Sequence, residues 1–168
     1  MKYSVIVAVD LKYGFSKNNK IPWHYPEDLQ HFRKLTQNGI CVMGRHTYEE
    51  INTKMQERNL GNDSVLPTRQ CFVLSNTLTS LPNATVIKSL TELEAHIPYD
   101  SHVFLIGGQS IFDVGLDVAD IVHISKIFVD YDCDQFFDID KLSKNFTLLD
   151  NNFNSNMDLT FMTFVKNS

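Results

Sequence analysis

Short apolar runs alternate with polar segments along the chain, and the period of the apolar positions changes after Ala119. Continuous, β-branched runs predict buried strands of a parallel sheet at 3–9, 40–43, 70–74, 84–87 and 102–106. Beyond Ala119, strands with no helix between them are predicted at 121–128, 146–153 and 159–165. Asn154-Ser155-Asn156 predicts the turn of a hairpin between the last two.

Segments with helical spacing separate several of these strands. They predict helices at 27–37, after 44–47, near 91–96 and after 107–110. Pro26 suits the first position of the first helix, and Ser89 or Thr91 could cap the third. Polar segments at 10–25 and 57–64 are predicted loops. The expected fold is a single α/β domain over residues 1–168: a three-layer sandwich with a mostly parallel central sheet and an antiparallel C-terminal hairpin.

Polar residues and glycines follow three of the predicted parallel strands, at Gly44-Arg45-His46-Thr47, Ser75-Asn76 and Gly107-Gly108. Because the carboxyl ends of parallel strands lie at one edge, these segments should line a single rim. Arg45 and His46 have the wrong charge for a helix start, so either an anion binds there or the arginine is solvated. Two glycines alone fit any tight turn equally well. A ligand with several phosphates, such as a dinucleotide, would satisfy all three segments together.

Asp28 is the candidate residue for chemistry. It shares a helix face with Phe32 and Leu35, at spacings i, i+4 and i+7. It is either a favourable charge in the first helical turn, beside Glu27, or a partly buried carboxylate that awaits a ligand. Spacing alone favours the first interpretation. Trp23, the only tryptophan, lies just upstream.

Composition narrows the class of protein. The net charge of -5 argues against a non-specific nucleic-acid binder, and no apolar run has membrane-spanning length. The apolar run near the N-terminus is broken at Asp10, which indicates a buried strand and not a signal peptide. Cys41, Cys71 and Cys133 lack the spacing of a disulfide framework or zinc site, so we expect a reducing, cytoplasmic location. The six histidines form no metal motif.

Several segments, in this order and spacing, match one known family. They are Val7-Ala8-Val9-Asp10, Gly14, Ile21-Pro22-Trp23, Asp28, Phe32, Val42-Met43-Gly44-Arg45-His46-Thr47-Tyr48-Glu49, Leu74-Ser75, Ile106-Gly107-Gly108 and Cys133-Asp134-Gln135-Phe136-Phe137. Together they resemble the dihydrofolate reductases, and the C-terminal strands suit that family's last hairpin. The joint pattern is specific, although each motif alone is not.

The resemblance implies NADPH-dependent reduction of 7,8-dihydrofolate to tetrahydrofolate. Asp28 would hold the pterin ring and favour protonation at N5, so that C6 accepts hydride from the nicotinamide. Trp23 would hold a water near the pterin, and Ser125 would hydrogen-bond the acid and the pterin amino group. With this resemblance, the second interpretation of Asp28 becomes the favoured one. It also implies sensitivity to antifolates such as methotrexate and trimethoprim, a cytoplasmic monomer, and no nucleic-acid, membrane or metal partner.

Further site residues follow from the same matching. An apolar pocket for the pterin and aminobenzoate would be formed by Ile6, Val7, Phe32, Ile51, Leu66 and Ile106. Arg69 would bind the carboxylate of the glutamate tail through two parallel hydrogen bonds. The NADPH site would comprise Ala8, Gly14, Asn18, Ile21, Gly44, Arg45, His46, Thr47, Leu74, Ser75, Asn76, Lys88, Gly107, Gly108, Gln109, Ser110, Ile111 and Phe112. The Gly107-Gly108 bond is expected in the cis form.

Two other functions stay open from the sequence. One is a pyrimidine reductase of riboflavin synthesis with the same fold, against which Trp23, Asp28 and Arg69 argue. The other is a folate-binding or structural protein that has kept the fold without the activity.

Overall fold

A computed structural model describes residues 1–57 and 64–168 of the chain. The predicted loop at 57–64 therefore lies almost entirely outside the described residues. The strands are β1 (Lys2–Val9), β2 (Gly14–Ser16), β3 (Ile40–Gly44), β4 (Gln70–Leu74), β5 (Thr85–Ile87), β6 (His102–Leu105), β7 (Ile121–Ile127), β8 (Gln135–Phe136), β9 (Phe146–Phe153) and β10 (Leu159–Lys166). The helices are α1 (Pro26–Thr36), α2 (Arg45–Glu57), α3 (Gln109–Val118) and α4 (Ile139–Asn145), with a 3₁₀ helix at Leu90–Ala95.

Eight strands form the central sheet, in the order β5-β4-β3-β6-β1-β7-β10-β9. Pairs from β5 to β7 are parallel, and β10 pairs antiparallel with both β7 and β9. This arrangement confirms the mostly parallel sheet and the antiparallel hairpin at the C-terminus. Asn154 closes that hairpin, since its side-chain oxygen accepts hydrogen bonds from the backbone N–H groups of Asp158 and Leu159, both at 3.1 Å.

Apolar clusters cover both faces of the sheet. On one face, α3 packs over β1, β3 and β6 and α4 packs against β9, with residues such as Ile111, Leu116 and Leu142 in the cluster. On the other face, α2 packs over β3 and β4 with residues such as Tyr48, while α1 adds Phe32 to the cluster and contacts Phe161 of β10 through His31. Cys41 and Cys71 are buried in this second cluster as free thiols. The result is the predicted three-layer sandwich.

The structure corrects the prediction of no helix among the last strands. α4 lies between β8 and β9, and the carboxylate of Asp138 caps it by accepting from the Lys141 N–H at 3.0 Å. The helix has only seven residues, too few for a clear helical repeat. The predicted loop 10–25 contains β2, which pairs antiparallel with β8 in a second, two-stranded sheet. Ser89 precedes the 3₁₀ helix, but its side chain makes no capping hydrogen bond there.

Candidate active site

The ends of β3 and β6 meet at the centre of one rim of the sheet. The Gly44 N–H donates to the Gly107 carbonyl at 2.7 Å, and the Gly107–Gly108 peptide bond is cis, as expected. Gly107 has φ +119°, and a Cβ there would lie 2.9 Å from the ring of Phe112. A side chain at this position would therefore meet both backbone strain and steric overlap. Ser75 follows β4 on the same rim and donates its N–H to Ile87 at 3.0 Å.

Two helices begin at this rim with free positive ends. α2 starts at Arg45 and α3 at Gln109, and neither has an acidic residue in its first turn. The N-cap of α3 is Gly108, which offers no side-chain cap. The first N–H groups of both helices are therefore available to an anion, and the helix dipoles favour negative charge there. This donor set fits a pyrophosphate.

Arg45 and His46 are exposed at the start of α2. The Arg45 Nε donates to Glu49 at 2.9 Å, one helical turn along, so the arginine has a partner that the sequence analysis did not consider. A basic residue at this helix start can therefore be explained in three ways: by a bound anion, by solvation of the side chain, or by the ion pair with Glu49. Thr47 is half-buried, and its Oγ1 would lie 3.7 Å from a Cβ on Gly108.

Asp28 lies in the first turn of α1, half-buried against the sheet. Burial raises the pKa of its carboxyl, and a hydrogen bond from the Ser125 hydroxyl opposes that rise in part. Ser125 is 4% exposed in the middle of β7, beside Ala8 of β1. The structure thus brings together two of the three residues predicted to be catalytic, and it places the acid where its charge is costly.

Trp23, the third of these residues, lies half-buried in the segment before α1. Its ring centroid is 5.2 Å from that of Tyr131, in the loop after β7. The contact places Trp23 against the loop after β7, which the sequence does not predict to lie near the site.

Five of the six predicted pocket residues lie in one cluster, on the Asp28 face of the sheet. They are Ile6, Phe32, Ile51, Leu66 and Ile106. Val7 is different, because side chains alternate along a strand and its own packs in the cluster on the opposite face. Its side chain therefore does not line this pocket, and only its backbone faces the same edge as Ile6.

Arg69 is held firmly at the other end of α1. Its Nε donates to Thr36 Oγ1 at 3.0 Å, and its Nη2 donates to the Arg33 carbonyl at 2.7 Å. Its Nη1 donates to the Pro67 carbonyl at 2.7 Å and to Thr68 Oγ1 at 3.1 Å. These bonds fix the plane of the guanidinium.

The remaining residues of the predicted NADPH site lie on the rim or on the loop beside it. Gly14 opens β2 where a Cβ would overlap the side chain of Cys133, and Asn18 donates its N–H to Asp134 at 3.0 Å. Ile21 is exposed and donates its N–H to Glu50 at 3.3 Å. Leu74 is half-buried at the end of β4, whereas Asn76, Lys88 and Ser110 are exposed. Gln109 contacts Asp113 at 3.1 Å within α3, and the side chains of Ile111 and Phe112 belong to the core.

Two residues that position the site were missed from the sequence. Thr36 is fully buried at the end of α1, where its hydroxyl donates to Phe32 at 2.8 Å and accepts from Arg69. Asp10 is fully buried after β1 and accepts three backbone hydrogen bonds. An acid directly after a buried strand, four residues before Gly14, was a signal for the second.

The described residues contain no helix that is long and apolar enough to cross a membrane. Within residues 1–57 and 64–168, no group of three histidine, cysteine or acidic side chains is arranged to hold a metal ion.

Comparison with known proteins identifies relatives over most of the chain. A family model described as dihydrofolate reductase matches residues 2–166. A dihydrofolate reductase of Staphylococcus aureus (strain Mu50 / ATCC 700699) is 33% identical over 137 residues, which are 82% of this chain and 78% of that protein. A bifunctional dihydrofolate reductase-thymidylate synthase of Paramecium tetraurelia is 34% identical over 137 residues, which are 80% of this chain but only 28% of that protein.

A solved structure supports the fold independently. The dihydrofolate reductase from Enterococcus faecalis, complexed with NADP(H) and RAB-propyl, superposes with a TM-score of 0.81 at 23% identity. The match covers 99% of this chain and 97% of that one.

Proposed function

The chain belongs to the dihydrofolate reductase family, and from this premise we propose how its residues carry out the NADPH-dependent reduction of 7,8-dihydrofolate to tetrahydrofolate. The observation that carries the proposal is the position of Asp28. A half-buried carboxylate, hydrogen-bonded by Ser125 and beside an apolar cluster, has an unmet need for hydrogen-bond donors. The amino group and ring N–H of a pterin are such donors.

Asp28 would orient the pterin by accepting these two hydrogen bonds. A negative carboxylate beside the ring favours protonation at N5, and this makes C6 a better hydride acceptor. Burial raises the pKa of Asp28, so its charged form gains from the two N–H donors that a bound ring would supply. Ser125 would hold the carboxylate in place, and Trp23 would hold a water near N5.

The apolar cluster and Arg69 divide the rest of the substrate between them. Ile6, Phe32 and Ile51 would cover the pterin and aminobenzoate rings, where apolar contact excludes water. Of the five guanidinium N–H groups, one on Nη2 has no acceptor within residues 1–57 and 64–168, so Arg69 would bind a carboxylate of the glutamate tail through Nη2. The fixed guanidinium favours this role, since less side-chain entropy is lost on binding.

NADPH would occupy the rim of the sheet, where it supplies the hydride. The starts of α2 and α3, which have no acidic residue in their first turns, would hold its pyrophosphate, and the glycine pair would allow the backbone to approach it closely. Thr47 and Ser75 offer hydroxyls on either side, and Lys88 offers a cation. Gly14 and Asn18 would contact the nicotinamide half from the adjoining loop.

We also propose that residues 1–168 act as one cytoplasmic domain. Strands from β1 at Lys2 to β10 at Lys166 share the central sheet, which supports a single folding unit. Three free, buried cysteines suit a reducing compartment.

The test is oxidation of NADPH by dihydrofolate, followed by absorbance with and without methotrexate. We expect methotrexate-sensitive turnover in the native chain. Asp28→Asn should fold and bind NADPH but lose most of its turnover at neutral pH. Glu27→Gln removes the neighbouring, exposed acid of the same helical turn and should keep its turnover.

Two results would contradict the proposal. Near-normal turnover in Asp28→Asn would remove the role of that acid. A folded native chain that binds NADPH but does not oxidise it with dihydrofolate would exclude the reaction.

A further inference from the structure

A tight turn carries the polypeptide into Arg69. It spans Leu66-Pro67-Thr68-Arg69, and it is closed by the Arg69 N–H, which donates to the Leu66 carbonyl at 3.1 Å. Proline at the second position fixes φ near −65° by its ring. With the third residue at φ +67°, the turn has the form of a type II turn. Glycine or asparagine normally occupies that third position, because other side chains are strained there.

Threonine is an unexpected residue at this place. Its branched Cβ makes the left-handed conformation especially unfavourable. The other non-glycine residues with positive φ in the described part of the chain are Tyr13, Asn18, Asn19, Asn38, Asp132 and Met157, and none of them is β-branched. Strain of this kind is found at functional sites, where the side chain has a use that offsets its cost.

The side chain of Thr68 has a defined position in the structure. Its Oγ1 accepts a hydrogen bond from Arg69 Nη1 at 3.1 Å, and the side chain lies at the exposed surface. The other contacts of the guanidinium are with backbone and with Thr36 on the α1 side. Of the two hydroxyls that contact the guanidinium, Thr36 is buried and Thr68 is the exposed one.

The hydroxyl of Thr68 can accept one hydrogen bond and donate another at the same time. While its oxygen accepts from the guanidinium, its own proton is free to donate to an acceptor in front of Arg69. A carboxylate that binds Arg69 presents two oxygens with about four acceptor sites, more than the remaining N–H of Nη2 can fill. A second donor beside the arginine would therefore strengthen binding of a carboxylate but not of a neutral group.

We propose that Thr68 is a specificity-determining residue for the substrate tail: its hydroxyl donates to the carboxylate that Arg69 binds. This inference rests on the proposed function, because it requires Arg69 to bind the tail. It goes further in assigning a second donor to the same carboxylate and in giving a reason for threonine at a strained position.

The test compares two inhibitors, one with a carboxylate tail and one without. Methotrexate carries a glutamate, and trimethoprim carries no carboxylate; their dissociation constants can be measured by calorimetry in the presence of NADPH. In Thr68→Val, which keeps the shape and loses the hydroxyl, we expect methotrexate to bind about three- to tenfold more weakly. Trimethoprim binding should not change. Thr68→Ser should restore native affinity for methotrexate.

Thr68→Gly separates the hydroxyl from the strain. This variant should bind methotrexate as weakly as Thr68→Val does. It should nevertheless unfold at a higher temperature than the native chain, because glycine has no backbone strain at positive φ. Met157→Gly makes the same change at φ +60° in the exposed turn between β9 and β10. This control should raise the unfolding temperature without changing either dissociation constant.

The outcomes distinguish this inference from the proposed function. If the native chain oxidises NADPH with dihydrofolate, and Arg69→Leu weakens methotrexate selectively, the function and the tail site stand. Unchanged methotrexate affinity in Thr68→Val, or an equal loss for both inhibitors, would then overturn the role of Thr68 alone. If Arg69→Leu has no selective effect, the tail lies elsewhere and the inference is overturned with it. A native chain without turnover would instead contradict the function.

Discussion

Asp28 is stabilised poorly by its own protein. The carboxylate is half-buried beside apolar side chains, with a hydrogen bond from Ser125 in the described structure, and burial raises its pKa. Its charged form is therefore under-solvated until a ligand brings donors. The desolvated charge of Asp28 makes the free fold less stable, but it leaves a carboxylate that is ready to bind a ligand. This combination is common at functional sites.

Asp28→Asn should consequently stabilise the free protein at neutral pH. A carboxyl whose pKa is raised by folding contributes most favourably when protonated, below its unfolded pKa, and loses that contribution as pH rises through the folded value. Asparagine does not ionise, so the variant avoids the loss. At pH 7 the unfolding temperature should rise, by about 2–4 °C for each kcal/mol of relieved desolvation in a chain of this size.

The same measurement below pH 4 provides the control. As the carboxyl becomes protonated in both the folded and the unfolded chain, the difference between variant and native should disappear. A difference in unfolding temperature that stays constant from pH 7 to pH 3 would show that the effect is not due to the charge.

At the scale of elements, the sequence predicts strongly apolar segments well and short polar ones poorly. The sequence predicts β4 at its observed bounds, because residues 71–74 form a continuous apolar run and Gln70 directly precedes it. α4 was missed, since Ile139 and Leu142 are its only apolar residues and give less than one full helical repeat. β2 and β8 have three and two residues, and only their pairing with each other makes them strands. Such pairing is a tertiary contact, invisible in local periodicity.

A similar limit applies to His123 in β7, for which the sequence alone indicates no role. His123 points from this strand to the α1 face, and its Nδ1 lies 3.5 Å from Thr163 Oγ1 on β10. Burial lowers the pKa of His123 to about 4, with further contributions from His31 on α1 and His102 on β6. The strand therefore carries a half-buried histidine that is neutral in the folded protein at physiological pH.

His123 should make the fold acid-sensitive in a defined interval. Its pKa is about 4 in the folded chain and 6.5 as a model value, so the unfolded chain binds the proton more tightly. The stability that it contributes is complete above pH 6.5 and is lost as pH falls towards 4. In His123→Val, the urea midpoint should fall less over this interval than in the native chain, by an amount that reflects about 1.4 kcal/mol for each pKa unit.

His24→Val, at an exposed position, is the matched control and should follow the native pH curve. Parallel curves for native and His123→Val would mean that other groups cause the acid sensitivity.

At the scale of the whole molecule, the site joins segments that are far apart in sequence. The sequence predicted that the ends of β3, β4 and β6 share a rim, because parallel strands allow only that arrangement. It could not predict how the loop after β1 is held against this rim. That depends on Asp10, which receives N–H groups from Lys12 at 2.9 Å, Gly14 at 2.8 Å and Tyr131 at 3.0 Å.

Asp10 thus connects the sheet, the β2 loop and the loop that contacts Trp23. Asp10→Asn replaces one accepting oxygen by an NH₂ group, which leaves at least one buried N–H without its acceptor. The expected cost is about 1–3 kcal/mol of unfolding free energy, measured by urea titration. NADPH should also bind more weakly, because Gly14 and Asn18 lie on the loop that this carboxylate holds.

Asp120→Asn changes an exposed acid at the start of β7 and should alter neither quantity. If Asp10→Asn lowers stability but leaves the NADPH dissociation constant unchanged, the carboxylate supports the fold without setting the loop for the cofactor. If the unfolding free energy and the NADPH dissociation constant both change, the buried side chain of Asp10 holds the loop in its position beside the site.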